Sequence, residues 1–339
     1  MDPRVATNAH LLPTPARLVL LAGAALLASC GHLAAQAIPS ALPAIGKPLD
    51  IRDTRNITAP DGQVVVTASH IYQVATKAFD SDGRRRDLPL DQTVRLQSLP
   101  VLATYGLTSR WNVGAGASLV NSIERKQSVL NFVPGATLLE QALPVGSVST
   151  IESSGDGVGD LNLVAQYRPG WFSGDRVESL LAVDVVAPTA GSTPGGPLDL
   201  ALGQGYWTYR LSYSAVKEIF PITYFARAGY EWNRPDTLST ATGGTFRLDA
   251  GDGVNYAAGA SYSIGARFSL QALAVGSWHE ETVRSNVPAR GPATRSLDFR
   301  PGYTFRLGSL QLTQQLAIPL AGANTLAPEG ILTTVEYRF

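Results

Sequence analysis

The chain has 339 residues and a formal net charge of +0, and charged residues make up only 16% of it. A neutral chain lacks the basic face that phosphate neutralisation needs, which excludes nucleic acid as a partner. The charged fraction lies below the roughly 25% of soluble domains, yet no apolar run of about 18 residues follows Cys30, so no mature transmembrane helix is expected.

A membrane barrel has this profile, because apolar and polar residues alternate along each strand and hydropathy averages out. A secreted β-sandwich or propeller has it too. The order of elements has to separate them.

Arg4 and Arg17 precede the apolar stretch Leu18 to Ala28, which is too short to span a bilayer and has the build of a secretory signal. Two processing sites compete. Ala35-Gln36-Ala37 fits the small-x-small rule and sets a signal peptide over 1–37; Leu27-Ala28-Ser29-Cys30 resembles a lipobox, with Cys30 as the lipidation candidate. Cys30 is the only cysteine, so no internal disulfide is available. Either route exports the chain.

Residues 38–61 read as a polar N-terminal segment, periplasmic or folded into the barrel as a plug. From residue 62 to 339, two-residue alternation is broken repeatedly by Gly, Pro, Asp, Ser and Asn, the pattern of strands and turns. Strands are expected near 63–79, 92–104, 109–124, 157–168, 176–187, 206–217, 222–233, 252–263, 268–279, 294–305, 309–319 and 330–339. Their connections alternate short and long without exception. Short ones are 105–108, 169–175, 218–221, 265–267 and 307–308; long ones are 80–91, 125–156, 188–205, 234–251, 280–293 and 320–329. An outer-membrane barrel sorts its loops this way, with short periplasmic turns and long external loops, whereas a sandwich has no reason to. The expected fold is therefore all-β, a closed antiparallel transmembrane β-barrel of about twelve strands in the outer membrane of a Gram-negative bacterium.

Aromatic residues cluster at the strand ends. Tyr105 with Trp111, Tyr167 with Trp171, Phe220 with Tyr224, Tyr262 with Phe268, and Tyr303 with Phe305 flank the short turns; Phe79, Trp207, Trp232 and Trp278 lie near the opposite ends. Two such belts are expected at the headgroups. A charge facing lipid near the midplane costs about 2–4 kcal/mol, so parity assigns Arg95, Arg168, Arg210, Arg227, Glu231, Asp298, Arg300 and Arg338 to the lumen wall.

The ending Val335-Glu336-Tyr337-Arg338-Phe339 looks like the C-terminal β-signal of outer-membrane proteins. Val335, Tyr337 and Phe339 share one face of it, and the resemblance implies reading by the barrel-assembly machinery. The order of further segments resembles the family called "MetA-pathway of phenol degradation", a group of outer-membrane transporters. The resemblance rests on Thr104-Tyr105-Gly106-Leu107-Thr108, on Gly157-Val158-Gly159-Asp160-Leu161 leading to Tyr167-Arg168, and on Ala187-Pro188-Thr189-Ala190-Gly191, with Gly229-Tyr230 and Pro319-Leu320-Ala321-Gly322 further on. It implies passage of small hydrophobic or aromatic molecules. No Asn-Pro-Ala hatch motif of the FadL type is found.

Enzymatic chemistry finds little footing. The histidines after the signal are His70 and His279. Ser69 adjoins His70, but neighbours along a strand point to opposite faces and cannot form a dyad. His279-Glu280-Glu281 reads as a polar external rim, with a rim hydrolase or metal site as the lesser reading. Gly157-Val158-Gly159-Asp160 enters a strand rather than a helix, so it lacks the helix N-terminus that a phosphate loop needs. Asp80-Ser81-Asp82-Gly83 reads as a turn, lacking the terminal Glu of a calcium loop. Arg84-Arg85-Arg86 on the same loop suits lipopolysaccharide. The loop 125–156 is either a capture loop over the mouth or an external hairpin.

The expected function is a non-enzymatic channel for passive uptake of small hydrophobic or aromatic molecules, with no cofactor and no metal. Its expected partners are outer-membrane lipid, lipopolysaccharide, the assembly machinery and a small-molecule solute. A structural or adhesive barrel with partner-binding loops is the alternative.

Overall fold

A computed structural model describes residues 59–130, 148–169, 177–190, 203–239, 244–285, 287–288 and 293–339. The signal peptide, Cys30, Trp171 and nearly all of segment 38–61 lie outside these residues.

Twelve long strands follow in chain order: β1 (Val64–Ala75), β2 (Thr93–Gly106), β3 (Trp111–Leu130), β4 (Leu161–Tyr167), β5 (Val177–Ala187) and β6 (Thr208–Ile219), then β7 (Ile222–Asn233), β8 (Gly253–Ile264), β9 (Phe268–His279), β10 (Thr294–Leu307), β11 (Leu310–Ala323) and β12 (Glu329–Arg338). Each pairs antiparallel with the next, and β12 pairs with β1 from Val65↔Arg338 to Val74↔Glu329, closing the sheet. All twelve expected strands are present, and the alternation of short and long connections holds.

Closure satisfies every backbone group that lipid could not. With strands about 4.8 Å apart and tilted by about 40°, the backbone cylinder is about 24 Å across.

The two faces separate as parity predicts. Large apolar side chains such as Leu163, Val183, Leu211, Leu270, Leu316 and Ile331 are exposed on the outside. The inside is mostly polar: Thr67, Gln73, Asn112, Gln166, Thr208, Gln271 and Gln315 are buried. Hydroxyl pairs join neighbouring strands across that inner wall, Ser69 with Thr334 at 2.6 Å and Thr304 with Thr313 at 3.0 Å. Such cross-strand pairs are the unit of sheet stabilisation.

Aromatic belts mark both rims. Below lie Tyr105, Trp111, Phe220, Tyr224, Tyr262, Phe305, Tyr337 and Phe339, with the Trp111 and Tyr167 rings in tilted contact, centroids 4.7 Å apart; above lie Tyr72, Tyr230, Trp232 and Trp278. Phe79 does not join the upper belt. It is buried at 5% exposure within a small outer sheet made by Thr325–Leu326, Lys77–Phe79 and Arg85–Asp87.

The outer loops carry structure that alternation alone did not foretell. Asp236–Ser239, Thr245–Asp249, Val283–Arg284 and Val287–Pro288 form a second external sheet. Within 125–156, β3 runs on to Leu130 and pairs with Val148–Gly157, from Asn121↔Gly157 to Leu130↔Val148. The hairpin reading therefore holds for its stem, while 131–147 lie outside the described residues. Asp80 accepts the backbone N–H groups of Asp82 and Arg84 and pairs with Arg86 at 2.7 Å, which makes the segment a turn. Arg85 pairs with Glu329, so two of the three consecutive arginines sit against carboxylates.

Candidate functional site in the barrel lumen

Four strands, β6 to β9, build one wall of the lumen, with β5 and β10 flanking it. Direct cross-strand partners define its levels. At the outer level Asp184 faces Arg210, Arg210 faces Glu231, Glu231 faces Gly253 and Gly253 faces His279. Two residues deeper the row is Ser212, Gly229, Asn255 and Ser277. Next come Ser214, Arg227, Ala257, Val275 and Asp298, and below them Val216, Phe225, Gly259, Leu273 and Arg300.

The outer level is a buried charge cluster. Arg210 donates through Nη2 and Nε to Glu231 Oε2 at 3.0 and 3.2 Å. Their side chains are 11% and 2% exposed. Asn233 Nδ2 donates to Glu231 Oε1 at 3.3 Å, and His279 Nε2 lies 3.7 Å from the same oxygen.

His279 reaches Glu231 from two strands away because the intervening position is Gly253. A Cβ there would collide with the imidazole edge of His279 at Cδ2 and Nε2. His279 thus turns into the barrel rather than forming a rim cluster with Glu280 and Glu281. Sequence spacing gave no sign of this, since the contact depends on an absent side chain on a third strand. Ser69 and His70 do take opposite faces, as a strand requires: Ser69 is buried and His70 exposed.

The lower level is apolar. Phe225, Ala257, Leu273 and Val275 pack together, with Val216 against them. Gly259 repeats the device of Gly253: a Cβ on it would collide with Leu273 Cδ2, so its absence lets Leu273 lean toward Phe225. The two arginines beside this shelf are buried, Arg227 at 7% and Arg300 at 2% exposure. Arg227 Nη2 donates to Ser212 Oγ at 3.3 Å, and Arg300 Nη2 is 3.5 Å from Asp298 Oδ2.

Of the parity-assigned residues, Arg210, Arg227, Glu231, Asp298 and Arg300 thus share one wall. Arg338 stands apart at the lower end of β12, paired with Glu336 at 2.9 Å. Arg168 follows β4 at a periplasmic turn, where its backbone N–H bonds to Arg110. Arg95 stands on the other face: it is exposed and paired with Glu124 at 3.2 Å.

A second polar centre lies at the outer rim. The Asp160 carboxylate accepts the backbone N–H groups of Ala190 and Gln204, each at 2.9 Å, and Leu161 N–H donates to Thr189 Oγ1 at 2.8 Å. The Gly157–Asp160 and Ala187–Ala190 segments therefore meet in space, and Asp160 ties Ala190 to Gln204 at the two ends of the connection between β5 and β6. Nearby Tyr206 is buried, and burial followed by the Asp160 charge pushes its phenol up to about 12. Among the described residues no cluster of three metal-binding side chains occurs.

No family model and no curated protein matches the chain. Among solved structures, it is similar to an outer membrane channel from Pseudomonas putida F1. The TM-score is 0.62 at 16% identity, covering 83% of this chain and 97% of that one. Two others are the translocator domain of the autotransporter NalP from Neisseria meningitidis and the Ralstonia pickettii toluene transporter TbuX. NalP gives a TM-score of 0.43 at 11% identity, covering 85% of this chain and 92% of that one. TbuX gives 0.38 at 10%, covering 82% and 89%. Scores of this size carry no argument about this chain. The first likeness shows the fold, and with the lipid-facing belt and its aromatic rims it makes the chain a twelve-stranded outer-membrane β-barrel.

Proposed function

We propose that the barrel is a channel for passive uptake of small hydrophobic or aromatic molecules. The observation that carries this reading is the graded lumen wall, from the Arg210–Glu231–His279 cluster at the outer level down to the Val216–Phe225–Leu273 shelf. A solute with an apolar body and a polar handle exchanges water for matched surroundings at each level, and no covalent chemistry is needed. The P. putida protein of the same fold is described as a channel, and kinship with the phenol-degradation family belongs to the same proposal.

The chain enters β1 from the inside. Ala59 is buried against Val65, and Asp61 bridges Gly106. This supports segment 38–61 as a plug that sets the size of the opening. Lipopolysaccharide at the outer rim and the assembly machinery acting on Val335, Tyr337 and Phe339 complete the proposed partners. The external sheet of Asp236–Ser239, Thr245–Asp249, Val283–Arg284 and Val287–Pro288 favours the second reading, a platform for a protein partner.

Planar-bilayer recording separates the two. A channel gives stepwise conductance that rises when residues 38–58 are deleted. A barrel silent both with and without that segment, and showing no solute flux, is not a channel.

A further inference from the structure

One level below the apolar shelf, the inner row runs through Ser261 on β8, Gln271 on β9, Gly302 on β10 and Gln315 on β11. Gly302 is the direct cross-strand partner of both glutamines, so they flank it on either side. Arg300 stands two residues above it on the same face of β10. Both glutamines are buried, Gln271 at 8% and Gln315 at 2% exposure. A Cβ on Gly302 would come within 2.8 Å of Gln315 Cγ, so its absence lets Gln315 lean across β10 toward Gln271.

One level further down, hydroxyls satisfy each other across the strands, Thr304 with Thr313 and Ser69 with Thr334. The carboxamides do not. Nε2 of Gln271 and Nε2 of Gln315 are buried and meet no acceptor among the described residues. A buried donor left without an acceptor is costly unless something arrives to receive it, and each amide carries two such hydrogens. A leucine at either position would avoid the cost; what the glutamines keep is the ability to donate.

The charge around them selects the acceptor. Among the described residues of β7 to β11, this level and the two above it carry two cations, Arg227 and Arg300, and one anion, Asp298. A guanidinium and two amide N–H groups are all donors, and the group that matches such a set is an oxygen anion. Directly above lie Leu273 and Phe225, an apolar face for a ring. We propose that Gln271, Gln315 and Arg300 form the seat of the solute's polar handle, and that the handle is a carboxylate. The ring rests on Phe225 and Leu273 while the carboxylate oxygens accept from the three side chains. The inference rests on the channel reading and names its substrate class, small aromatic acids. A mostly apolar surface with a few convergent polar groups is the usual build of a small-molecule site, and groups placed to donate to a ligand reject an analogue that lacks the acceptor.

The test is isothermal titration calorimetry of the full chain in detergent at about pH 8, where benzoate and a glutamate side chain are both ionised. Sodium benzoate is the probe and benzyl alcohol the uncharged comparison. Benzoate should bind at least tenfold tighter than benzyl alcohol, and benzylamine should not bind. Gln271→Leu/Gln315→Leu keeps the volume, removes the donors and should weaken benzoate at least tenfold. Gln315→Glu, equal in shape, should abolish benzoate binding by setting one carboxylate against another. Retained heat-modifiable migration on gels confirms that each variant folds. Benzoate bound no tighter than benzyl alcohol overturns the proposal, as does an unchanged benzoate affinity in either folded variant. Phenol bound tighter than benzoate overturns it too. Planar-bilayer recording keeps the two readings apart. A wild type that conducts without preferring benzoate loses the acid seat alone; one that binds benzoate as described but conducts nothing loses the channel reading alone.

Discussion

Replacing Glu231 with Leu probes the outer charge cluster most directly. The carboxylate is 2% exposed and holds Arg210, whose side chain is 11% exposed. Removing one member of a buried ion pair costs about 3–5 kcal/mol, because the remaining charge is left without its partner. Here the lower end applies. Asp184 is the direct cross-strand partner of Arg210 on the other side, and facing residues lie about 5 Å apart at Cβ, so a second carboxylate stays close. About 3 kcal/mol is expected. Urea unfolding of the barrel refolded in lipid vesicles, followed by tryptophan fluorescence, measures it. The double variant Arg210→Leu/Glu231→Leu should recover most of the loss, since an apolar pair of similar volume replaces a buried ion pair at little cost. If the single variant loses less than about 0.5 kcal/mol, the ordinary range of a surface substitution, the cluster is not a buried charge network and the reasoning fails.

Other expectations follow from the same geometry. Gly253→Ala should drive His279 off Glu231 and destabilise by about 1–3 kcal/mol, as overpacking does; the same unfolding assay would show no change if the slot were empty. Ala258→Arg on the outward face of β8 should cost about 2–4 kcal/mol in lipid, and a neutral result would mean that the faces are assigned the wrong way round. Asp160→Ala removes the acceptor of two backbone N–H groups, and hydrogen bonds to a charged group are each worth about 1.5–3 kcal/mol. The loop between β5 and β6 should become protease-sensitive on intact cells while the barrel stays folded. Tyr206 predicts an alkaline effect. With its phenol raised from 10.0 to about 12, the folded state keeps a proton that the unfolded state loses, so stability falls as pH climbs from 10 toward 12. The loss should reach about 2–3 kcal/mol and vanish in Tyr206→Phe; a wild type with a flat profile over that window contradicts it.

Strand period and loop parity made the barrel legible because lipid imposes them. A charge on the hydrocarbon face is expensive, so Arg210, Arg227, Asp298 and Arg300 could be turned inward by position alone. The same argument misplaced Arg95, and the reason is physical. Arg95 lies in the outer end of β2, level with Glu124 on the hairpin stem, where the wall stands in water and the penalty no longer applies. The contacts that shape the site were not legible. His279 meets Glu231 only because Gly253 leaves room between them, and Asp160 bonds to groups 30 and 44 residues further along. The external sheets escaped for another reason. Their strands are two to five residues long, too short for alternation to show.

The central claim is that the lumen wall selects apolar solutes at the Val216–Phe225–Leu273 shelf. It is tested most directly by uptake of a small aromatic solute into cells, where the lipopolysaccharide leaflet is the barrier. A pure phospholipid vesicle passes such solutes unaided. Cells expressing the wild type should accumulate the solute several-fold faster than cells without it. Phe225→Arg, which sets a charge on the shelf, should bring the rate back to background while the barrel remains folded. Equal uptake by wild type and Phe225→Arg, or no uptake above background by either, contradicts the account.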